Sequence, residues 1–178
     1  MSPEPSAPSP ATQSTVQIQR VTSADADAIA ALAAEIWQAH YANIISAQQI
    51  AYMLAQRYAP ALIRAELARG VSWDKLHIAG RIVSYSSYFT LDEGREMKLD
   101  KLYVHPSQQR RGYGGLLVAR ALGAARQAAC TALVLAVNKA NAQAIAAYTK
   151  YGFHIRESVV QQIGGGYVMD DYIMVKNV

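Results

Sequence analysis

One stretch limits what this chain can become: Lys101-Leu102-Tyr103-Val104-His105-Pro106-Ser107-Gln108-Gln109-Arg110-Arg111-Gly112-Tyr113-Gly114-Gly115. Leu102, Tyr103 and Val104 are strand formers. His105-Pro106 ends the strand, because proline removes a ladder donor and biases its predecessor away from helix. After the glycines, Leu116 to Gln127 is almost all helix formers, Gly123 being the exception. A strand, a glycine-rich turn and a helix start leave backbone N–H groups unpaired where a ligand can come close. That is an anion site, and Arg110 and Arg111 add positive charge to it.

Spacing tests which phosphate ligand the stretch suits. A Walker A loop needs Gly-Lys-Ser/Thr at the helix start, which is missing. A dinucleotide fingerprint needs a third glycine where Leu117 stands. The remaining pattern, Gln/Arg-x-x-Gly-x-Gly/Ala, is met by Gln109, Gly112 and Gly114. It resembles the coenzyme A pyrophosphate loop of the Gcn5-related N-acetyltransferase (GNAT) superfamily. By itself it also reads as an ordinary glycine-rich turn. A second segment adds weight. After the strand Leu133–Val137 come Asn138 and the run Asn141-x-x-Ala144-Ile145-x-x-Tyr148-x-Lys150-x-Gly152-Phe153, which resembles the superfamily's later motif. The two segments span about residues 97–154, in the family's order and about one helix and one strand apart.

Length and composition narrow the rest. At 178 residues the chain suits one domain, expected over 15–178, and 52% hydrophobic residues provide a core. Residues 1–14 are mostly Pro, Ser and Ala and read as a disordered tail. No window of about eighteen apolar residues exists and no signal peptide is visible, so neither a membrane nor secretion is expected. The lone Cys130 excludes an internal disulfide, suits a reducing, cytoplasmic setting, and reads as a small core filler. The net charge is +4, with several cations (Arg110, Arg111, Arg120, Arg126) in the phosphate loop and its helix. No basic run is interleaved with aromatics, so nucleic acid is not an expected partner. No His/Cys/Asp cluster has metal-ligand spacing, so no metal is expected.

Read in order, the chain predicts a strand over 15–21, helices over 22–37, 46–57 and 60–69, and strands over 76–79, 82–91 and 97–104. The phosphate loop and its helix follow, then a strand, the Tyr148 helix, and strands over 152–160 and 167–175. Gly80-Arg81 marks a tight hairpin and Gly164-Gly165-Gly166 a flexible turn. The resemblance implies an α/β (α+β) GNAT fold. Its sheet would be mixed and mostly antiparallel, of six to seven strands, with helices on both faces. The fourth and fifth strands would splay, and coenzyme A would wedge between them.

The resemblance also implies chemistry: direct transfer of an acetyl group from acetyl-CoA to a primary amine. Tyr148 reads as a packing tyrosine on an amphipathic helix, or, by the resemblance, as the acid that protonates the leaving thiolate. The cofactor would be held by Leu102, Tyr103, Val104, Gln109, Arg110, Arg111, Gly112, Tyr113, Gly114, Gly115, Asn138, Asn141, Tyr148 and Lys150. The Val104 N–H would face the thioester oxygen at a strand bulge. Asn141 also reads as a helix N-cap. For the general base, alternation puts Glu96, Lys98 and Asp100 on one face with Leu102 and Val104. Glu96 or Asp100 is the expected base, or else a solvated strand carboxylate.

The acceptor side is expected from Trp37, Tyr41, Tyr85 and Tyr88, with Tyr167, Tyr172, Asp92, Glu93, Asp170 and Asp171 nearby. Aromatics with carboxylates suit a cationic amine, or are plain packing and surface charge. Ile36-Trp37-x-x-x-Tyr41, Gln49-Ile50-x-Tyr52-Met53-Leu54 and the ending Tyr167-x-Met169-x-Asp171-x-Ile173-Met174-x-Lys176 resemble, more loosely, a branch that includes spermidine/spermine acetyltransferases of the PaiA type. A small-molecule amine such as a polyamine is the leading expectation. The alternatives are a protein N-terminus or lysine, which needs an open groove between the first helices and the last hairpin, and a coenzyme A binding module without turnover. Many members of the family pair as dimers through late strands, so the resemblance makes a homodimer the default expectation.

Overall fold

The computed structural model describes residues 16–91 and 95–178. The expected tail and the turn carrying Asp92 and Glu93 lie outside them. The described chain runs β1 (Gln17–Arg20), α1 (Ala26–Tyr41), α2 (Ala47–Tyr58), α3 (Pro60–Ala68), β2 (Ser72–Ile78), β3 (Arg81–Thr90), β4 (Glu96–Val104), α4 (Tyr113–Gln127), β5 (Ala132–Asn138), α5 (Ala142–Lys150), β6 (His154–Gly164) and β7 (Tyr167–Asn177), with one-turn 3-10 helices before α1 and α4. The strands form one sheet in the order β1-β2-β3-β4-β5-β7-β6. Every neighbouring pair is antiparallel except β4–β5. Among the described residues no helix is long and apolar enough to cross a membrane.

Helices cover both faces because both faces are apolar. On one side Ile29, Ile36, Trp37, Ile50 and Ile63 of α1–α3 pack on Trp73 and Tyr85. On the other, Val118, Ala121, Leu122 and Ala125 of α4 pack on Tyr88, Met97, Leu99 and Leu133. Ser46 caps α2 by accepting from the Gln49 N–H, and Pro60 opens α3, where its missing donor costs nothing.

Strand β2 starts at Ser72, four residues earlier than the expected 76–79. Asp74 and Lys75 hid it by breaking the apolar pattern. Both are buried with partners. Asp74 accepts from Tyr88 at 2.8 Å and from Arg120 at 3.1 Å, and Lys75 donates to Asp25.

The expected splay is present. Strands β4 and β5 pair only through Glu96–Ala132, Met97–Leu133 and Lys98–Val134. Beyond that rung β5 continues along β7 as far as Asn138–Asp171, while β4 follows β3 to Val104.

A register shift opposite Ser87/Tyr88 makes Asp100 an extra residue in β4, because Tyr88 faces Leu99 and Ser87 faces Lys101. This corrects two expectations. The bulge falls at Asp100, not at Val104. It also inverts the alternation: Met97 and Leu99 pack on the α4 side, whereas Lys101 and Tyr103 turn toward α1–α3. Glu96, Lys98 and Asp100 therefore do not share a face with Leu102 and Val104.

Candidate active site

The splay opens a cavity of about 640 Å³ lined by β4, β5, α1, α2, α4, α5 and β7. At one end is the turn into α4. Gly112, with φ +84°, is the N-cap residue, and Arg110 is also left-handed, with φ +60°. The helix has no side-chain cap, and its first internal bond runs from the Leu116 N–H to the Gly112 carbonyl. The N–H groups of Tyr113, Gly114 and Gly115 are therefore left for a ligand. A Cβ on Gly112 would meet nothing within 4 Å, so the space above it is open, while one on Gly115 would press on Tyr151 at 3.2 Å. Arg110 lines the cavity; Arg111 is exposed and Gly115 lies behind it, so neither joins the lining.

Strand β4 forms one wall. The His105 N–H bonds the Val83 carbonyl at 2.8 Å, so ladder alternation turns the N–H and C=O of Val104, and those of Leu102, to the edge that β5 has left. Gln109 ties this wall to the other. Its amide donates to the Val104 carbonyl at 3.3 Å and its oxygen accepts from Gln143 of α5 at 3.0 Å.

On the far wall Tyr148 stacks edge-on to Phe153 and makes no hydrogen bond among the described residues. Burial, with Tyr41 and Tyr151 adding to it, pushes its phenol well above its ordinary value, so it stays protonated across the neutral range. Asn141 caps α5, its oxygen accepting from the Ala144 N–H at 3.1 Å, and it also lines the cavity with Asn138 and Lys150.

At the acceptor end the structure brings in Trp37 and Tyr41, and adds His40, Met53, Arg57, Lys98 and Met169. Tyr85 and Tyr88 are not there. They stand three apart on β3 and so point to opposite faces. Tyr85 is buried against Trp73, Tyr58 and Tyr103, and Tyr88 is occupied by Asp74 and Arg20.

The two expected bases are placed differently. Glu96 lies outside the cavity lining and accepts from Arg156 at 2.7 Å. Asp100 does line the cavity, between Arg57 at 2.6 Å, Lys101 at 2.7 Å and Lys98 at 3.3 Å. Burial alone would raise its carboxyl. The three cations outweigh that and hold it well below the usual carboxylate range. Among the described residues no group of three or more His, Cys, Asp or Glu could hold a metal ion.

A model of the acetyltransferase (GNAT) family matches residues 30–153, and the chain belongs to that family. Uncharacterized N-acetyltransferases of Mycobacterium tuberculosis and Mycobacterium bovis are 32% identical to it over 97 residues, 54% of this chain; the chain spans 61% of the length of these curated relatives. The PaiA N-acetyltransferase of Thermoplasma acidophilum, crystallised with coenzyme A, shares the fold at a TM-score of 0.79 and 19% identity, covering 92% of this chain and 99% of that one. The ribosomal-protein-alanine N-acetyltransferase of Brucella melitensis shares it at 0.67 and 22%, covering 91% and 99%. The yncA protein of Salmonella typhimurium, solved with its cofactor acetyl-CoA, gives 0.67 and 22%, covering 92% and 94%.

Proposed function

We propose that the protein transfers the acetyl group of acetyl-CoA to a small primary amine, with Tyr148 as the acid. One observation carries this reading. A single cavity holds the uncapped start of α4, the edge of β4 that carries the Leu102 N–H and C=O and the Val104 N–H, and the unbonded phenol of Tyr148. The coenzyme A and acetyl-CoA in the PaiA and yncA structures support the same ligand here. Such a cofactor would supply an acyl group activated as a thioester. The N–H groups of Tyr113, Gly114 and Gly115, with Arg110 beside them, suit its diphosphate. The N–H and C=O groups of Leu102 suit its amide-bearing arm, as an added strand would. The Val104 N–H is left to face an oxygen on which charge develops. Tyr148, protonated and in the same cavity, can give its proton to a departing thiolate.

A small acceptor is favoured over a protein because α2 is tied to the last hairpin. Gln49 donates to the Val168 carbonyl at 3.2 Å, Tyr52 donates to the Ile163 carbonyl at 2.9 Å, and the Tyr52 and Tyr167 rings lie 5.1 Å apart. Those contacts narrow the groove a polypeptide would need. Of the acidic residues that suggested a polyamine, Asp170 pairs with Lys139, Asp171 lines the cavity, and Asp92 and Glu93 lie outside the described residues. Asp100, also in the lining, is held by three cations. Arg57 and Lys98 themselves line the cavity. These contacts favour an amine with one positive charge over a polycation.

The test is thiol release from acetyl-CoA in the presence of tyramine, spermidine, and peptides bearing a free N-terminus or a lysine. The reading predicts release with tyramine well above release with the peptides. Coenzyme A binding without release for any acceptor would leave a binding module instead.

A further inference from the structure

An ammonium cannot attack a thioester, so acetyl transfer needs a group that takes a proton from the acceptor. Glu96 is outside the cavity, and Asp100 is held ionised by Arg57, Lys98 and Lys101. A carboxylate so held has little affinity for a proton. The other carboxylate in the cavity lining, Asp171 on β7, is placed differently. It lies opposite Asn138, the last residue of β5, at the acceptor end with Trp37, Tyr41, Met53 and Met169. Its Oδ1 is shielded from solvent and has no hydrogen-bond partner among the described residues. Native proteins seldom leave a buried carboxylate oxygen without a donor, because its lost hydration goes uncompensated.

We infer that the donor this oxygen lacks is the acceptor's ammonium, and that Asp171 is the base that holds it and takes its proton. The inference rests on the acetyl transfer proposed above and assigns its missing group. The environment agrees. Burial raises the Asp171 carboxyl above its ordinary value and the neighbouring Asp170 raises it further; Arg57, Lys139 and Lys98 oppose this without cancelling it. Tyr41 faces it from α1. One N–H proton passes to the Asp171 carboxylate, and the neutral nitrogen forms its bond to the acetyl carbon. The carbon–sulfur bond breaks, and the thiolate takes the Tyr148 proton. The second N–H proton restores the phenol through solvent. Asp171 then releases its proton to water, so each turnover yields amide, thiol and one proton.

The test uses the full chain with acetyl-CoA and tyramine, comparing wild type, Asp171→Asn and Asp171→Glu from pH 5.5 to 9.5. Asp171→Asn should lower kcat by about 100-fold, the low end for losing a general base. It should leave the acetyl-CoA Kd unchanged and shift the rising limb of the pH–rate profile toward the pKa of free tyramine. Asp171→Glu should recover part of the rate. An Asp171→Asn protein with the wild-type limb and a kcat within about twofold overturns the inference, as does one altered only in the KM for tyramine. If the wild type binds acetyl-CoA but acetylates nothing, the transfer reading fails on its own. The Asp171 carboxyl carbon, followed by 13C NMR and identified by its loss in Asp171→Asn, then still decides the base. A midpoint above the ordinary value of about 3.9 supports it, and one at or below that value overturns it.

Discussion

Lys98 of β4 and Val134 of β5 form the last rung between the two strands, and Asp100, the extra residue in β4, follows two positions later. A bulge bends its strand and increases its twist. Here it falls where β4 leaves β5 for good, so the cleft and the bulge have one local origin. Gln109 then spans the opening, bonded to the Val104 carbonyl on one side and to Gln143 on the other.

Tyr148 has no hydrogen-bond partner in the cavity wall, and burial keeps its phenol protonated. Tyr148→Phe should lower kcat by about 100-fold or more, as expected for loss of a general acid. The acetyl-CoA Kd should stay within about twofold, because the hydroxyl supports no other part of the wall. Stopped-flow thiol release beside a binding titration checks both numbers. An unchanged kcat would remove the acid role.

Asp100 contributes to stability with a definite sign in pH. Its carboxyl is lower in the folded chain than in the unfolded one, so its contribution is complete above the unfolded value of about 3.9 and fades as pH falls below it. Lys101, almost fully buried, would keep only Glu66, at 3.1 Å, as an anionic partner in Asp100→Asn. The substitution should cost about 3 kcal/mol at pH 7, the range for removing one partner of a buried pair. Most of the difference should persist at pH 3 and be lost only as pH falls further, through the much lower folded value. Urea unfolding at the two pH values checks it.

Arg57 and Lys98 give the acceptor end a cost for multiply charged amines. Spermidine should therefore show a higher KM than tyramine, and Lys98→Gln should narrow the gap by roughly fivefold, the equivalent of about 1 kcal/mol for a partly exposed charge. A steady-state comparison of the two amines on both proteins is sufficient. A spermidine KM already below that of tyramine would restore the polyamine reading.

The glycine turn into α4 was legible because its geometry is local. Only glycine takes the Gly112 conformation without strain, and the helix start behind it needs no tertiary information. The later motif was legible for the same reason, its Asn141 cap and Tyr148 lying on one short helix. The acceptor end was not, because tertiary contacts decide it. Tyr85 and Tyr88 looked like pocket aromatics until the sheet faces were fixed, and the Asp100 bulge reversed the parity on which the base assignment depended. Arg57 gave no signal in α2 and matters only because α2 carries it to Asp100. Asp171 was visible as a pocket carboxylate, but its unpartnered oxygen is a property of the folded chain alone.

In the proposed function everything depends on the uncapped amides at the start of α4 holding the diphosphate of acetyl-CoA. Calorimetric titration of acetyl-CoA into wild type and Gly112→Asp tests it most directly, because the substitution puts a negative charge and a strained left-handed residue at the helix start. Wild type should show saturable one-to-one binding, and the variant an affinity at least about tenfold weaker, a loss of roughly 1.4 kcal/mol. Equal affinities for the two folded proteins would contradict that role of the amides.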